Sequence, residues 1–426
     1  MTKVFPFQAW RYSKKAGPTK TLIAQPYDKI TAELQESYYE ANPFNIVRLI
    51  KRKAAPKNGI KSNTYEEAAE TLETWITDKV LEQENRPSFY AYFQEFQHPE
   101  NGQLITRKGF IGLMQVEDYS AGIVHRHELT HSGPKLDRLE LTRHTRAHFG
   151  QLFMLYEDPE GSVDQSLEQT STAPPLINVE DEFGTIHKIW QICDSNTIGR
   201  MQVAMADKRL LIADGHHRYE TALAYSRENP DVPGADRVMM TFVNIHTPGL
   251  VVLATHRVFN SLRMFDKSDL LNKLRSHFEV NSFEDLDTLE RHMNEVPSDK
   301  ISIGSVFSGD PLYYLLSEKN TNRGSQTKTC DSENDLDVTI LHSLVIERLM
   351  GVSPHDVRDL KHIRYVRGLR VAAEEVRSGK AQVAFLLRPV AVEKIAEISF
   401  GGGVMPQKST DFYPKLQAGL TIYRFG

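Results

Sequence analysis

The sequence predicts a mixed α/β fold built from more than one folding unit, and three observations carry that expectation. A run of four apolar residues, Leu210 to Ala213, passes through Asp214-Gly215 directly into a helical pattern, HRYETALAYSREN. A helix-period segment from Tyr65 to Leu81 is followed by two strand-like runs around a Pro-Glu-Asn-Gly turn. The chain has 426 residues, and one core usually organises about 100–200.

In order along the chain, TLIAQPYDKI at 21–30 reads as a short strand ended by Pro26, then a helix capped at Thr31. The segment 65–81 places Ala68, Leu72, Trp75, Ile76 and Val80 on one helical face. SFYAYFQEF and ITRKGFIGLMQV form the hairpin. A charged helical stretch begins at Leu136, and residues 158–180, rich in Pro, Gly, Ser and Thr, read as an exposed connection. A helix from about Asn196 to Met205 leads to the strand RLLIAD, and the next strands are VMMTFVNI and GLVVLATHRVF. Residues 263–300 alternate helices with short apolar runs, and the polar stretch 319–337 reads as a mobile loop. A helix at 338–350, a strand AQVAFLLRPV and a closing segment rich in turn residues complete the chain. Three parts are expected: an N-terminal mixed unit at 1–115, a central part at 116–262 with an insertion at 135–200, and a C-terminal α/β unit at 263–426.

Composition excludes several classes. Hydrophobic residues at 40% and charged residues at 25% are near globular averages. A formal net charge of −5 disfavours a chain devoted to neutralising nucleic-acid phosphates. Cys193 and Cys330 stand far apart without C-x-x-C spacing, which fits reduced thiols rather than a disulfide framework or a thiolate zinc site. Neither a signal-peptide pattern nor an apolar run of about 18 residues occurs, so a cytoplasmic location without a membrane partner is expected.

The strongest chemical signal is Asp214-Gly215-His216-His217-Arg218. A strand-to-helix junction offers unpaired backbone N–H groups and the positive end of the helix dipole, which suit a phosphate. Gly215 permits close backbone approach, while His217 and Arg218 add donors, the guanidinium being suited to bidentate contact. Asp214 can hold a magnesium ion or orient a hydroxyl. The simpler alternative is a helix capped by Asp214 with surface histidines beside it.

A second signal, His125-Arg126-His127-Glu128-Leu129-Thr130-His131, contains H-E-x-x-H. On a helix that string supplies two zinc ligands and a base. Here Ser132-Gly133-Pro134 follows at once and a strand-like run precedes it, so zinc is not expected. Glu128 remains a candidate carboxylate base. Third, Lys408-Ser409-Thr410-Asp411-Phe412-Tyr413-Pro414-Lys415 follows Gly401-Gly402-Gly403, sets two lysines and two hydroxyls around an aromatic turn and can bind phosphate through ammonium and N–H groups, without a Walker A pattern; the alternative is a structured turn with solvated lysines. Fourth, Pro26-Tyr27-Asp28 and Thr255-His256-Arg257 leave polar groups at strand ends, where open α/β sheets tend to bind ligands.

With QPYDKI, RHELT, ADGHHRYETAL, the strand ending in THR and MPQKSTDFYPKLQAGL in order, the chain resembles a bacterial and archaeal family known as a domain of unknown function. Its DGHHR turn is similar to the phosphate-binding box of the ParB/sulfiredoxin superfamily, in which free-serine kinases carry a His-Glu pair upstream. The resemblance implies a ParB/sulfiredoxin-like nucleotide-binding core within 116–262 and phosphoryl transfer from ATP or ADP, with Mg2+, to a small hydroxyl-bearing metabolite. Free L-serine is the first candidate acceptor. On this view Glu128 accepts the hydroxyl proton, Asp214 and His216 assist catalysis, and Gly215, His217, Arg218, Lys408, Ser409 and Thr410 hold phosphate. Thr255, His256 and Arg257 receive the acceptor. The interval from Glu128 to Asp214 departs from the small kinases by the 135–200 insertion. Sulfiredoxin chemistry is disfavoured because its turn carries cysteine where His216 stands. A nucleotide-binding switch and a nucleotide hydrolase are the alternatives.

Overall fold

The computed structural model describes residues 1–53, 56–57, 60–61, 63–128, 132–319 and 336–426. His131, Cys330 and nearly all of the polar stretch 319–337 lie outside them. The mixed α/β expectation holds. Two compact units are present, one formed by Met1–Val251 with Pro414–Gly426 and the other by Val252–Tyr413.

The first unit is organised by a nine-stranded mixed sheet. Its main path runs Ile177–Glu180, Ile186–Ile192, Phe89–Gln97, Leu104–Gln115, Arg237–Asn244, Leu152–Tyr156, Leu210–Asp214 and Val124–His125. The expected hairpin lies at its centre, and its long strand pairs with Arg237–Asn244, so the sheet draws strands from both sides of residue 115. Two neighbouring pairs are parallel: Leu152–Tyr156 with Arg237–Asn244, and Leu210–Asp214 with Val124–His125. The strand Leu210–Asp214 is buried through its first four residues, which explains its unbroken apolar run. Helices pack their apolar stripes on the sheet, with Tyr219 and Ala222 of the helix His216–Glu228 joining Met154, Leu210 and Ile212 in one core.

Local signals explain most elements. Thr31 caps the helix Ala32–Ala41, its hydroxyl accepting from the Leu34 amide. The amphipathic helix spans Thr64–Thr77 and buries Ala68, Leu72 and Trp75. Residues 158–180 correct the expected exposed connection. They contain a helix, Ser162–Thr170, and a strand, Ile177–Glu180. Val163 and Leu167, one turn apart, are buried in the sheet's core; two apolar residues in nine gave too thin a stripe to outweigh the polar composition.

The second unit contains a six-stranded antiparallel sheet in the order Phe278–Phe283, Tyr313–Glu318, Ser302–Phe307, Val383–Leu386, Thr255–Phe259 and Ile363–Arg367. GLVVLATHRVF is not one strand; it divides into Val251–Leu253 and Thr255–Phe259. Among the described residues no helix is long and apolar enough to cross a membrane.

Candidate functional site

The strand Leu210–Asp214 delivers its last residue to a turn made by Gly215, whose φ of +100° lies in the left-handed region. A side chain there would also crowd a neighbour. A Cβ at this position would stand 3.0 Å from the Arg218 guanidinium, which folds back over the turn. Gly215 is also the N-cap of the helix His216–Glu228, and no side chain caps the first turn. Asp214 is therefore not the cap that the simpler sequence alternative required.

Its carboxylate serves cations instead. Oδ2 accepts from Arg218 Nη2 at 2.7 Å, and Oδ1 accepts from Lys415 Nζ at 2.8 Å. Burial by itself would raise the Asp214 carboxyl, but Lys415 and then Arg218 outweigh burial and hold it well below the usual carboxylate range. Lys29 adds a further positive field at Asp214. Arg107, almost wholly buried, feels the Asp214 charge as well, although burial lowers its own pKa to about 10. Several cations thus surround one carboxylate beside an uncapped helix N-terminus, an arrangement that attracts phosphate.

The RHE segment reaches this turn through strand pairing. Val124–His125 runs parallel to Leu210–Asp214, with Leu211 opposite His125. Both chains therefore leave the sheet at the same edge, the usual ligand edge of parallel strands. His127 Nδ1 donates a hydrogen bond to the Ile212 carbonyl oxygen at 2.7 Å, and Nε2 lies 3.8 Å from Glu128 Oε1. The His127 and His216 rings meet edge to face at 4.7 Å. Burial lowers the pKa of both rings, and His127 lowers that of His216 further. Burial thus favours the neutral form of each ring. His216 Nε2 is buried without a hydrogen-bond partner among the described residues. No group of three metal-ligating side chains occurs among the described residues.

Tyr27, the other strand-end candidate of this unit, lies under the Arg138 guanidinium at 4.2 Å and lines a cavity of about 70 Å³ with Arg138, Arg218 and Gly150. Thr255, His256, Arg257, Lys408, Ser409 and Thr410 all belong to the second unit. There the structure brings two sequence-predicted sets together. Arg257, with 0% of its surface exposed, donates from Nη2 to the carbonyls of Gln407 and Lys408 at 3.2 and 3.1 Å. Its Nε donates to His342 Nε2 at 3.2 Å, and Thr255 Oγ1 donates to the Lys408 carbonyl. Burial pushes His256 down to about 4 and His342 down to about 3. His256 Nδ1 accepts from the Leu387 amide at 3.2 Å. Sequence reasoning placed Lys415 in the 408–415 segment without tying it to residue 214, and gave no role to Lys29 or Arg107, because nothing in their local spacing links them to the turn.

The family described as "Protein of unknown function (DUF1015)" matches residues 4–339. No curated protein matches the chain. Among solved structures, the chain is similar to a free serine kinase in complex with AMP, at 11% identity and a TM-score of 0.38, covering 74% of this chain and 90% of that one. A conserved hypothetical protein from Pyrococcus furiosus has 12% identity and a TM-score of 0.35, with 71% and 92% covered. SbnI with C-terminal truncation, from Staphylococcus aureus, has 12% identity and a TM-score of 0.34, with 71% and 82% covered.

Proposed function

The chain belongs to the family of unknown function DUF1015, and we propose that it is a small-molecule phosphotransferase acting at the Asp214–Arg218 turn. The observation that carries this reading is the positive-φ glycine opening an uncapped helix inside a cluster of cations gathered on one carboxylate. The donor is ATP or ADP, and its terminal phosphate lies against the first-turn amides, His217 and Arg218. The acceptor is a small metabolite with a hydroxyl group, free L-serine foremost. Segment 116–262 is the ParB/sulfiredoxin-like core of this reading, and the protein works in the cytoplasm.

In the reaction, the acceptor oxygen forms a bond to the terminal phosphorus as the bond to the leaving nucleotide oxygen breaks. Glu128 takes the acceptor's proton. His216, as the Nε2–H tautomer, donates from Nε2 to a phosphate oxygen. Asp214 holds Arg218 in place across the turn. Most of the rate enhancement in such a transfer comes from positioning and charge stabilisation.

Magnesium fits Asp214 poorly as the side chains stand, since Lys415 and Arg218 engage its two oxygens. Thr255, His256, Arg257, Lys408, Ser409 and Thr410 lie in the second unit, where Arg257 and Thr255 are engaged with the 407–408 carbonyls, and the proposed reaction at the turn gives them no step.

Purified protein incubated with magnesium, ATP or ADP and a panel of hydroxyl-bearing metabolites tests the reading. A phosphorylated acceptor detected by phosphorus NMR, with donor consumed only when that acceptor is present, is the expected result. Donor consumption without any acceptor would replace the reading with a hydrolase.

A further inference from the structure

Lys415 does not reach Asp214 by chance of a flexible side chain. Its backbone is fixed from several directions by buried polar groups. Arg107 and Gln94 face one another across the central hairpin, and the Arg107 Nε donates to Gln94 Oε1 at 3.1 Å. From that pair, Arg107 Nη2 donates to the Pro414 carbonyl at 2.5 Å and Gln94 Nε2 donates to the Lys415 carbonyl at 3.0 Å. Two residues on, Gln417 Nε2 donates to Asp181 Oδ2 at 2.8 Å. Asp181 also receives His187 Nε2 at 3.1 Å, and His187 Nδ1 lies 2.8 Å from the Tyr92 hydroxyl. Ala418 then exchanges backbone hydrogen bonds with Ala24.

Arg107 and Gln94 are each 1% exposed, and Gln417 and His187 are 0% exposed. Burying such groups is costly unless every one is well placed, and an apolar filling would hold a terminal segment at less expense. The network's outcome is one lysine, 8% exposed, aimed at a carboxylate that Arg218 already neutralises. Two cations on one carboxylate leave a net positive charge. An ammonium on a flexible four-carbon stem changes partners more readily than a planar guanidinium fork.

We infer that Lys415 is the ammonium that binds the transferring phosphoryl group of the donor, leaving Asp214 to Arg218, and that Arg107 and Gln94 are positioning residues that fix its backbone. The inference rests on the phosphate reading of the turn. It assigns the lysine of the site to residue 415 rather than to the Lys408-Ser409-Thr410 run.

The test is calorimetric titration of the full chain with ATP, ADP and AMP. Lys415→Met should weaken binding of the nucleotides that carry the transferred phosphate by about 10–100-fold, the usual worth of a charge-assisted hydrogen bond. AMP, which lacks that phosphate, should bind within about twofold of the parent, on the same scale of interaction energies. Gln94→Ala should move affinity in the same selective way by a smaller factor, which a loss of stability alone would not do. If the methionine variant does not fold, Lys415→Gln gives the same comparison. Equal weakening for all three nucleotides, or none, overturns the inference while leaving the phosphate site standing. Failure of the parent protein to bind any of them overturns both.

Discussion

Arg218 and Arg257 each follow an apolar run in the sequence, yet the fold holds them in opposite ways. Arg218 shares one carboxylate with Lys415, and its side chain is 17% exposed beside an uncapped helix. Arg257 is fully buried and donates to the carbonyls of Thr255, Gln407 and Lys408 and to the His342 ring. A cation held by a carboxylate can exchange part of that interaction for a phosphate, since both partners are anionic. A guanidinium engaged by several carbonyls of a neighbouring loop instead fixes the loop. On the proposed reading, identical residue types serve binding in one unit and architecture in the other, and the acceptor decides which.

The largest expected effect lies at the turn. Glu128→Gln should keep donor affinity and lower turnover by about 10²–10⁴-fold, the range for a positioned proton acceptor. Single-turnover and binding measurements together check it, and a variant with full turnover would remove Glu128 from the chemistry. Next, Arg257→Met should act on stability, because several buried carbonyls lose their donor at about 1–3 kcal/mol each when left unsatisfied. Urea unfolding that matches the parent's would break the contrast between the two arginines.

A smaller effect sharpens it through pH. His256 and His342 titrate near 4 and 3 in the folded chain because burial disfavours their charged forms, against about 6.5 when unfolded. Below pH 6.5 the unfolded chain therefore takes up protons that the folded chain refuses. Stability is complete above that value and falls as pH drops toward the folded pKa, by about 1.4 kcal/mol per pH unit for each histidine. His342→Gln should flatten the slope between pH 6 and 4, as read from urea midpoints; an unchanged slope would deny that this ring is held neutral.

Much of this was legible in the sequence where local periodicity and turn chemistry are strong. The strand-glycine-helix junction at 210–228, the hairpin and the Thr31 cap were all visible as patterns of neighbouring residues. The approach of Glu128 to the turn was not, because it depends on Val124–His125 pairing in parallel with a strand 85 residues away. Lys415 was seen only as one of two lysines in the 408–415 segment. Its contact with Asp214 depends on Arg107 and Gln94, distant in sequence, which hold the backbone at 414–415. Both are among the most buried polar residues of the chain.

The Asp214–Arg218 turn is proposed to bind phosphate. Calorimetric titration of ATP and ADP into the parent protein and into His217→Ala and Arg218→Ala tests it most directly. Each variant, folded by circular dichroism, should bind the donor at least about tenfold more weakly, as expected for loss of a charge-assisted contact. Unchanged donor affinity in both folded variants would contradict the account.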